Sequence, residues 1–551
     1  MRRCDYLFSL SNSKCITDSK HHKYQGEGTM NRTKCWISTV LLCLLTTASV
    51  FGDDNTYDVR DYGAKPDGKT LCTKSIQKAI DECAKQGGGT VYFPPGTFLS
   101  GTIYMKSNVT LKLDSGSTLL GSTNLKDYPP TVQAFRSYTD NYTDKSLIYG
   151  EKLQRIAITG NGTIDGQGAA FKGPYKVRPY MIRFIQCRNV LVKNVTIRNS
   201  PMWVQHYLAC DDVLIDGITV RSRVNGNNDG INIDCCHQVL ISNCNISSGD
   251  DAIVLKSTAA RSCRNVTVSN CVLSSLCNGL KMGTESNGGF ENIVMTGCSI
   301  YDTRLAGIAL EIVDGGTMDR VVVSNITMNK VGAPIFMRLG NRARPFRKDI
   351  KPKMGVMRNI TISNIEATGA NPTGCAISGL PGHAIENVTI SNVRLSFAGG
   401  GTKKDAARAI PEKTTAYPEY SMFGRLPAYG FYCRHVKGLK LRNIQLQLAK
   451  SDKRHALVAE ECENLSIDDL DAPFSPDAGA IIRLTNVKGA LIRGCRPPTG
   501  TDTFLKLQGT KSQGVLLTAN DLSGVNRVAE ITPNVPKTAL SQLANHPTKK
   551  P

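Results

Sequence analysis

The 551-residue sequence predicts an all-β chain wound as a parallel β-solenoid, and three observations lead there. First, one phrase keeps returning: NVLVKNVTIRN from Asn189, DVLIDGITVRS from Asp212, QVLISNCNISS from Gln238, NVTVSNCVLSS from Asn265, NIVMTGCSIYD from Asn292 and RVVVSNITMNK from Arg320. These copies begin 23, 26, 27, 27 and 28 residues apart, a period of the size that marks a stacked repeat. Second, each copy alternates β-branched and polar residues, the period-two signature of a strand with one buried face. Third, no copy contains a helix-length periodic segment, which argues against strand-plus-helix repeats. Propeller blades need about 40–45 residues each, so one turn of a parallel solenoid fits best, with coils stacked at the inter-strand spacing of about 4.8 Å.

In chain order, residues 1–29 are polar and are set aside as an over-extended start. MNRTK at Met30 opens a basic stretch, followed by the uncharged run CWISTVLLCLLTTASVFG. That is the pattern of a signal peptide over about 30–52, implying a secreted or periplasmic protein. A membrane anchor is the competing reading, but the strongly apolar part, Trp36 to Leu45, is short for a span of roughly 20 residues. A single β-helix domain is expected over 53–535, capped at its N-terminus by about 53–105. Within that cap, TKSIQKAIDECAKQGGG (Thr73–Gly89) places Ile76, Ile80 and Cys83 at helical spacing ahead of a glycine stop, and the strand TVYFPPG follows. Pairs such as KN, DG and SN inside each copy mark bends, because Asn and Gly tolerate left-handed backbone. Further copies begin at Asn359 and Asn387, with weaker ones at Gly438, Asn464 and Gly489. The long intervals 320→359 and 387→438 read as loop insertions or irregular coils, and 536–551 as a polar tail.

Four of the 19 cysteines precede the expected mature start, leaving 15. An odd number with no zinc-type spacing does not describe a disulfide-stapled scaffold. Cysteines recurring at one place in the repeat, as at Cys244, Cys271 and Cys298, suit the interior as small apolar residues; Cys72 and Cys83 are one candidate bridge. The formal charge of +21 suits a polyanion partner or simply a solvated basic surface. Export disfavours nucleic acid.

Three carboxylates stand out in NNDGINIDCC (227–236) and GDDAIVLKS (249–257): Asp229, Asp250 and Asp251. The 21 residues between Asp229 and Asp250 are close to one coil, which makes them neighbours on one face. Clustered carboxylates repel, and one is thereby held protonated. A protonated and an ionised carboxyl across a sugar are the equipment of glycoside hydrolysis; a turn-capping ladder and a calcium site are the other readings of the same spacing.

These two stretches resemble the Asn-Thr-Asp-Gly and Gly-Asp-Asp segments of family 28 glycoside hydrolases, the polygalacturonases and rhamnogalacturonan hydrolases. GNGTIDGQG (Gly160–Gly168) and NSPMWVQHYLACDDVLI, with Ser200, Pro201, Trp203 and His206, extend the resemblance over about Tyr57 to Asn387. It implies a right-handed parallel β-helix, with Asp250 as the general acid and Asp229 and Asp251 as the pair that activates water with inversion. It also implies no metal or organic cofactor. The expected substrate is α-linked galacturonic-acid-containing bonds in pectin or rhamnogalacturonan, attacked in an exo fashion by a monomer, and the partner is an acidic plant-type polysaccharide or its oligosaccharides. A β-helix lyase and a non-catalytic carbohydrate-binding solenoid are the rivals.

The chain departs from the family pattern twice. CNG (Cys277, Asn278, Gly279) stands where the family has Gly-His-Gly, and ALE (Ala309, Leu310, Glu311) where it has Arg-Ile-Lys. Two cations are lost and an acid gained, so the subsite either takes a neutral sugar such as rhamnose, with rhamnogalacturonan or another decorated pectin preferred over pure polygalacturonate, or draws on other cations. Candidate substrate-binding residues are therefore Lys256, Asn278, Lys281, Glu311, His206, Arg338 and Arg342. Of these, His206 equally suits a structural hydrogen bond, Lys256 equally faces away, and the run holding Arg338 and Arg342 also reads as a solvated loop. Trp203 is expected as core or wall.

Overall fold

The structure, a computed structural model, describes residues 55–546; the expected signal peptide at 30–52 lies outside the described residues. Three parallel sheets wind together, and a regular coil contributes one strand to each; the last coils, Lys488–Arg493 with Thr501–Gln508 and Gln513–Thr518 with Val525–Ile531, contribute to two. A representative coil is Asp211–Asp216, Thr219–Ser222 and Ile231–Asp234; the next is His237–Ser242, Asn245–Ser248 and Ile253–Ser257. The recurring phrase builds the first two sheets, so one sequence repeat is one coil. The register stacks like on like: Val213 against Val239, Val266, Ile293, Val321, Ile360, Val388 and Leu439. These side chains point inward and are buried. Each one fully buried contributes about 1.5–3 kcal/mol, and together they fill one continuous core. The coil is the right-handed β-helix, the hand that parallel crossovers adopt.

The bends fall where the Asn/Gly pairs predict. Asn194, Asn243, Asn270, Asn325, Asn364 and Asn392 all have φ between 54° and 62°. Outside the core their side chains form a ladder, with Nδ2 of Asn364 donating to Asn325 at 3.0 Å and Nδ2 of Asn392 to Asn364 at 3.2 Å. The residue opening each phrase, such as Asn265, Asn292, Asn359 or Asn387, is left-handed as well. That second set of corners is a structural reason for Asn that alternation alone does not reveal.

The helix Thr73–Lys85 buries Ile76, Ala79, Ile80 and Cys83 against the first coils. Cys72 and Cys83 are both unbonded, as are all fifteen cysteines among the described residues. Cys72 caps the start of this helix, and eleven residues at a rise of about 1.5 Å put Cys83 roughly 16 Å further along, far beyond disulfide reach. Most other cysteines stack in the interior, for example Cys187, Cys210, Cys236 and Cys263 on consecutive coils; Cys277 is half-buried and Cys235 joins a separate apolar cluster.

Both long intervals are insertions following third-sheet or second-sheet strands. Residues 340–355 leave after Leu339, and residues 398–427 leave after Phe397. The second insertion lies across the outer face of the third sheet. Its Ile410, Tyr420, Phe423 and Leu426 pack on Ala309, Phe336, Ala376, Tyr432 and Val458, an apolar patch outside the main core. At the C-terminus, Leu540–Leu543 pairs with Gln513–Thr518 and continues the first sheet. The polar makeup of LSQL hides this strand in the segment read as a tail. Among the described residues no helix is long and apolar enough to cross a membrane.

Candidate active site

The carboxylates lie on the outer face of the third sheet, just ahead of three consecutive strands. Ile231 pairs with Ile253 and Ile253 with Leu280, so two residues upstream Asp229, Asp251 and Asn278 share one column. The expected alignment of Asp229 with Asp250 is thus off by one. The coil here closes in 22 residues, and the in-register partner is Asp251. The flanking glycines answer to space: a Cβ on Gly230 would sit 2.5 Å from the Ala252 carbonyl, and one on Gly249 2.8 Å from that of Asn225. The bend after Gly249 turns both adjacent acids to the same cleft. Ligand atoms of Asp250, Asp251 and Cys277 all lie within 4.8 Å of one another. Hydroxyls of Ser248 and Ser275 each donate to the Asp250 carbonyl at 2.6 Å, pinning this turn.

The three acids have different surroundings. Asp251 is buried, which alone would raise its pKa, but Lys281 and Lys256 and hydrogen bonds from Asn278 and Cys277 outweigh burial and hold it below the usual carboxylate value. Lys281 Nζ is 3.4 Å from its Oδ2, and Asn278 Nδ2 donates to its Oδ1 at 2.8 Å. Burial and the neighbouring Asp251 raise Asp250. Asp229 is raised well above its ordinary value by burial and by Asp250, despite Lys256 at 3.6 Å; its Oδ1 has no hydrogen-bond partner. The site therefore holds one carboxylate that ionises more readily than usual beside two that ionise less readily, the division of labour that acid–base chemistry needs.

Lys256 lines the site. Its Nζ sits 4.8 Å over the Trp203 ring and 3.5 Å from Glu285, which makes Trp203 a wall. Asn278 is a hinge between acids and sheet: besides binding Asp251, its Oδ1 accepts from the Ala306 amide at 2.9 Å. Asn holds these two partners without a charge, where His would carry one. Lys281 is surrounded by Asp251, Glu311 at 3.8 Å and Glu419 at 3.7 Å. Glu311 is fully buried; burial pushes its carboxyl up to about 8 against the pull of Lys281. Ala309 is covered by the insertion, so no sugar reaches the position where the family has Arg.

Three expected substrate contacts are placed otherwise. His206 is buried, stacked on Tyr180 and bonded to Asp234 at 3.1 Å, a support behind the Trp203 wall. Arg338 is buried, donating to the carbonyls of Ser378, Gly379, Glu412 and Lys413; it fastens the 398–427 insertion to the sheet. Glu311 has no exposed surface. The sequence reading missed Glu285, Arg344, Tyr417 and Glu419. Arg342 and Arg344, on the 340–355 insertion, grip Asp314 and Glu285. Arg344 also stacks on Tyr138 at 3.7 Å, and Arg342 on Tyr417 at 5.4 Å, so this strap touches both the segment that holds Tyr138 and the 398–427 insertion. Burial, Asp251 and Asp250 push the Cys277 thiol up; it is a protonated, poor metal ligand. Two carboxylates beside two lysines do not supply the six to eight oxygens of a calcium site.

A parallel β-helix with acid and base carboxyls on one outer face describes a glycoside hydrolase. The model of Glycosyl hydrolases family 28 matches residues 83–416, and the chain belongs to that family. A probable polygalacturonase of Vitis vinifera is 31% identical over 372 residues, covering 62% of this chain and 74% of its own. An exopolygalacturonase of Zea mays is 24% identical over 411 residues, covering 68% and 94%. The crystal structure of a hyperthermoactive exopolygalacturonase from Thermotoga maritima shares the fold with a TM-score of 0.57 at 24% identity, covering 71% of this chain and 91% of that one. Glu419 lies past the matched segment.

Proposed function

We propose that this protein is an exported, inverting exo-hydrolase of α-linked galacturonide bonds in pectic polysaccharide. The observation that carries the reading is the unequal trio. Asp250, half-buried at the cleft and held up in pKa, gives its proton to the leaving oxygen. Asp251, held ionised by Lys281, takes a proton from the attacking water. Asp229, its carboxyl held above the ordinary value by burial and Asp250, orients that water through its unpartnered Oδ1, a narrower role than the base pair that the family resemblance implied. The names of the relatives support the pectic substrate. The strap of Arg342 and Arg344, tied to Tyr138 and Tyr417, supports exo action because, in this reading, it closes one end of the cleft. Lys256, Arg342 and Arg344 gather at this end around Glu285 and Asp314, and are the cations suited to meet a uronate carboxylate.

The pH profile follows from the two shifts. Turnover needs Asp251 ionised and Asp250 protonated, so kcat/KM is bell-shaped. Its acid limb lies below the ordinary Asp value of about 3.9 and its alkaline limb above it, both belonging to the coupled pair. A profile that rises through pH 5 and keeps rising contradicts these assignments. Function itself is tested by digesting oligogalacturonides and weighing the products. Loss of one uronic acid per event, with one water gained, supports the reading; unsaturated products indicate a lyase, and unchanged oligomers a binding protein.

A further inference from the structure

From Lys281 onward, the outer column of the third sheet runs through Ala309, Phe336, Ala376, Tyr432, Val458, Arg483 and Lys506. Arg483 is six coils beyond Lys281, roughly 29 Å at about 4.8 Å per coil. The apolar middle of this column is the part roofed by the 398–427 insertion. The roof ends at Ala406, whose carbonyl accepts from Arg483 Nη1 at 2.7 Å. Beyond it opens a cavity of about 480 Å³ lined by Lys403, Lys453, Arg483 and Lys506, with Asp477 as the one carboxylate of the lining.

We infer that this cavity is a second binding site for a carboxylate-bearing glycan chain, separate from the catalytic cleft. Four cations face one lining anion. Asp477 is exposed and only 3.6 Å and 3.9 Å from Lys453 and Lys403, pairs of the weak surface kind. Glu460 and Glu530 meet Arg483 and Lys506 from outside the lining at 3.0 Å and 2.6 Å, and four cations still exceed three carboxylates. His455, also lining the cavity, is buried, and burial together with Arg483 and Lys506 lowers its pKa to about 4; it is neutral. Its Nδ1 lies 2.7 Å from the Ala480 carbonyl, which only accepts, so Nδ1 carries the proton and Nε2 is left as an acceptor. Cations for a carboxylate beside a neutral acceptor for a hydroxyl match a sugar acid. No Phe, Tyr or Trp lines the cavity, and it lacks the broad stacking platform of a single-stranded nucleic acid site. A polymer held here keeps its ends concentrated near the cleft, the gain of a second attachment point.

The inference takes only its probe, polygalacturonate, from the function proposed above. In full-length chains the double variant K453E/K506E changes two partly exposed residues and spares Arg483 and the fold. Titration calorimetry at low salt, on an Asp250→Asn background, is expected to show polygalacturonate binding at least about tenfold weaker in the double variant. With Asp250 intact, turnover of trigalacturonate is expected to be unchanged while turnover of dilute polymer falls. Unaltered polymer binding, or equal binding of inorganic polyphosphate, overturns the inference. Loss of polymer binding without any trigalacturonate turnover in the parent chain would uphold this site and refute the catalytic reading instead.

Discussion

Asp250→Asn removes hydrolysis, lowering kcat by about 10²–10⁴-fold, the range of a lost general acid, and leaves oligosaccharide binding in place. The substitution keeps shape and local bonding. The Asp251 amide still finds an acceptor where it now meets Asp250 Oδ1 at 2.9 Å, and both serine bonds go to the backbone carbonyl, which does not change. What disappears is a transferable proton. At pH values where Asp250 would ionise, its repulsion of Asp229 and Asp251 disappears too, so the folded state loses nothing electrostatically. Kinetics and thermal unfolding on one preparation check this: kcat collapses while Tm holds or rises. A variant with full activity removes Asp250 from the reaction.

Lys281→Met has the larger structural effect. Lys281 is the cation shared by Asp251, Glu311 and Glu419, and it is almost completely buried. Removing one partner of a buried pair costs about 3–5 kcal/mol, because the remaining charges stay desolvated and unpaired. The carboxyls respond by holding their protons to higher pH. Glu311 already titrates at about 8 in the folded chain, well above its unfolded value of about 4.3. Its stabilising share is present below the unfolded value and is lost as pH rises through about 8. Without Lys281 the folded values of Asp251 and Glu419 move up too and join it. The destabilisation of Lys281→Met is therefore expected to be small at pH 4 and to grow towards pH 8, read from denaturant midpoints at both pH values. Asp251, protonated at neutral pH in this variant, no longer serves as base, and activity falls with stability. An equal loss at both pH values would show that packing, and not charge, is what Lys281 supplies.

Most of the fold was legible because a solenoid repeats one local rule. Val and Ile alternate within each copy, Asn or Gly marks each bend, and Asp229 and Asp251 recur one coil apart. Register by interval alone missed by one residue, since coil length varies and only backbone pairing fixes which Asp faces which. Residues from the insertions were not legible. Arg344, Tyr417 and Glu419 belong to segments with no period, and their place depends on how Phe423, Leu426 and Arg338 fasten the 398–427 segment to the sheet. Glu285 was hidden for another reason. The strand Leu280–Ser286 shifts register against its neighbour before Ser286, so simple alternation does not say that Glu285 meets Lys256. The missing Arg and Lys of the family were visible, but their consequence was not. Ala309 sits beneath a roof, and in the proposed function the cations that meet the substrate are Lys256, Arg342 and Arg344 instead.

The stereochemistry of the first-formed product tests the central claim most directly. Oxygens of Asp250 and Asp251 within 4.8 Å are closer than the roughly 6.5–9.5 Å usual for inverting pairs, so the account relies on Asp229 and Asp251 together to seat the water. Proton nuclear magnetic resonance of a digest in its first minutes distinguishes the outcomes. The account predicts the β-anomer of the released galacturonic acid ahead of mutarotation; the α-anomer appearing first would mean a covalent intermediate on one of these carboxylates and would contradict it.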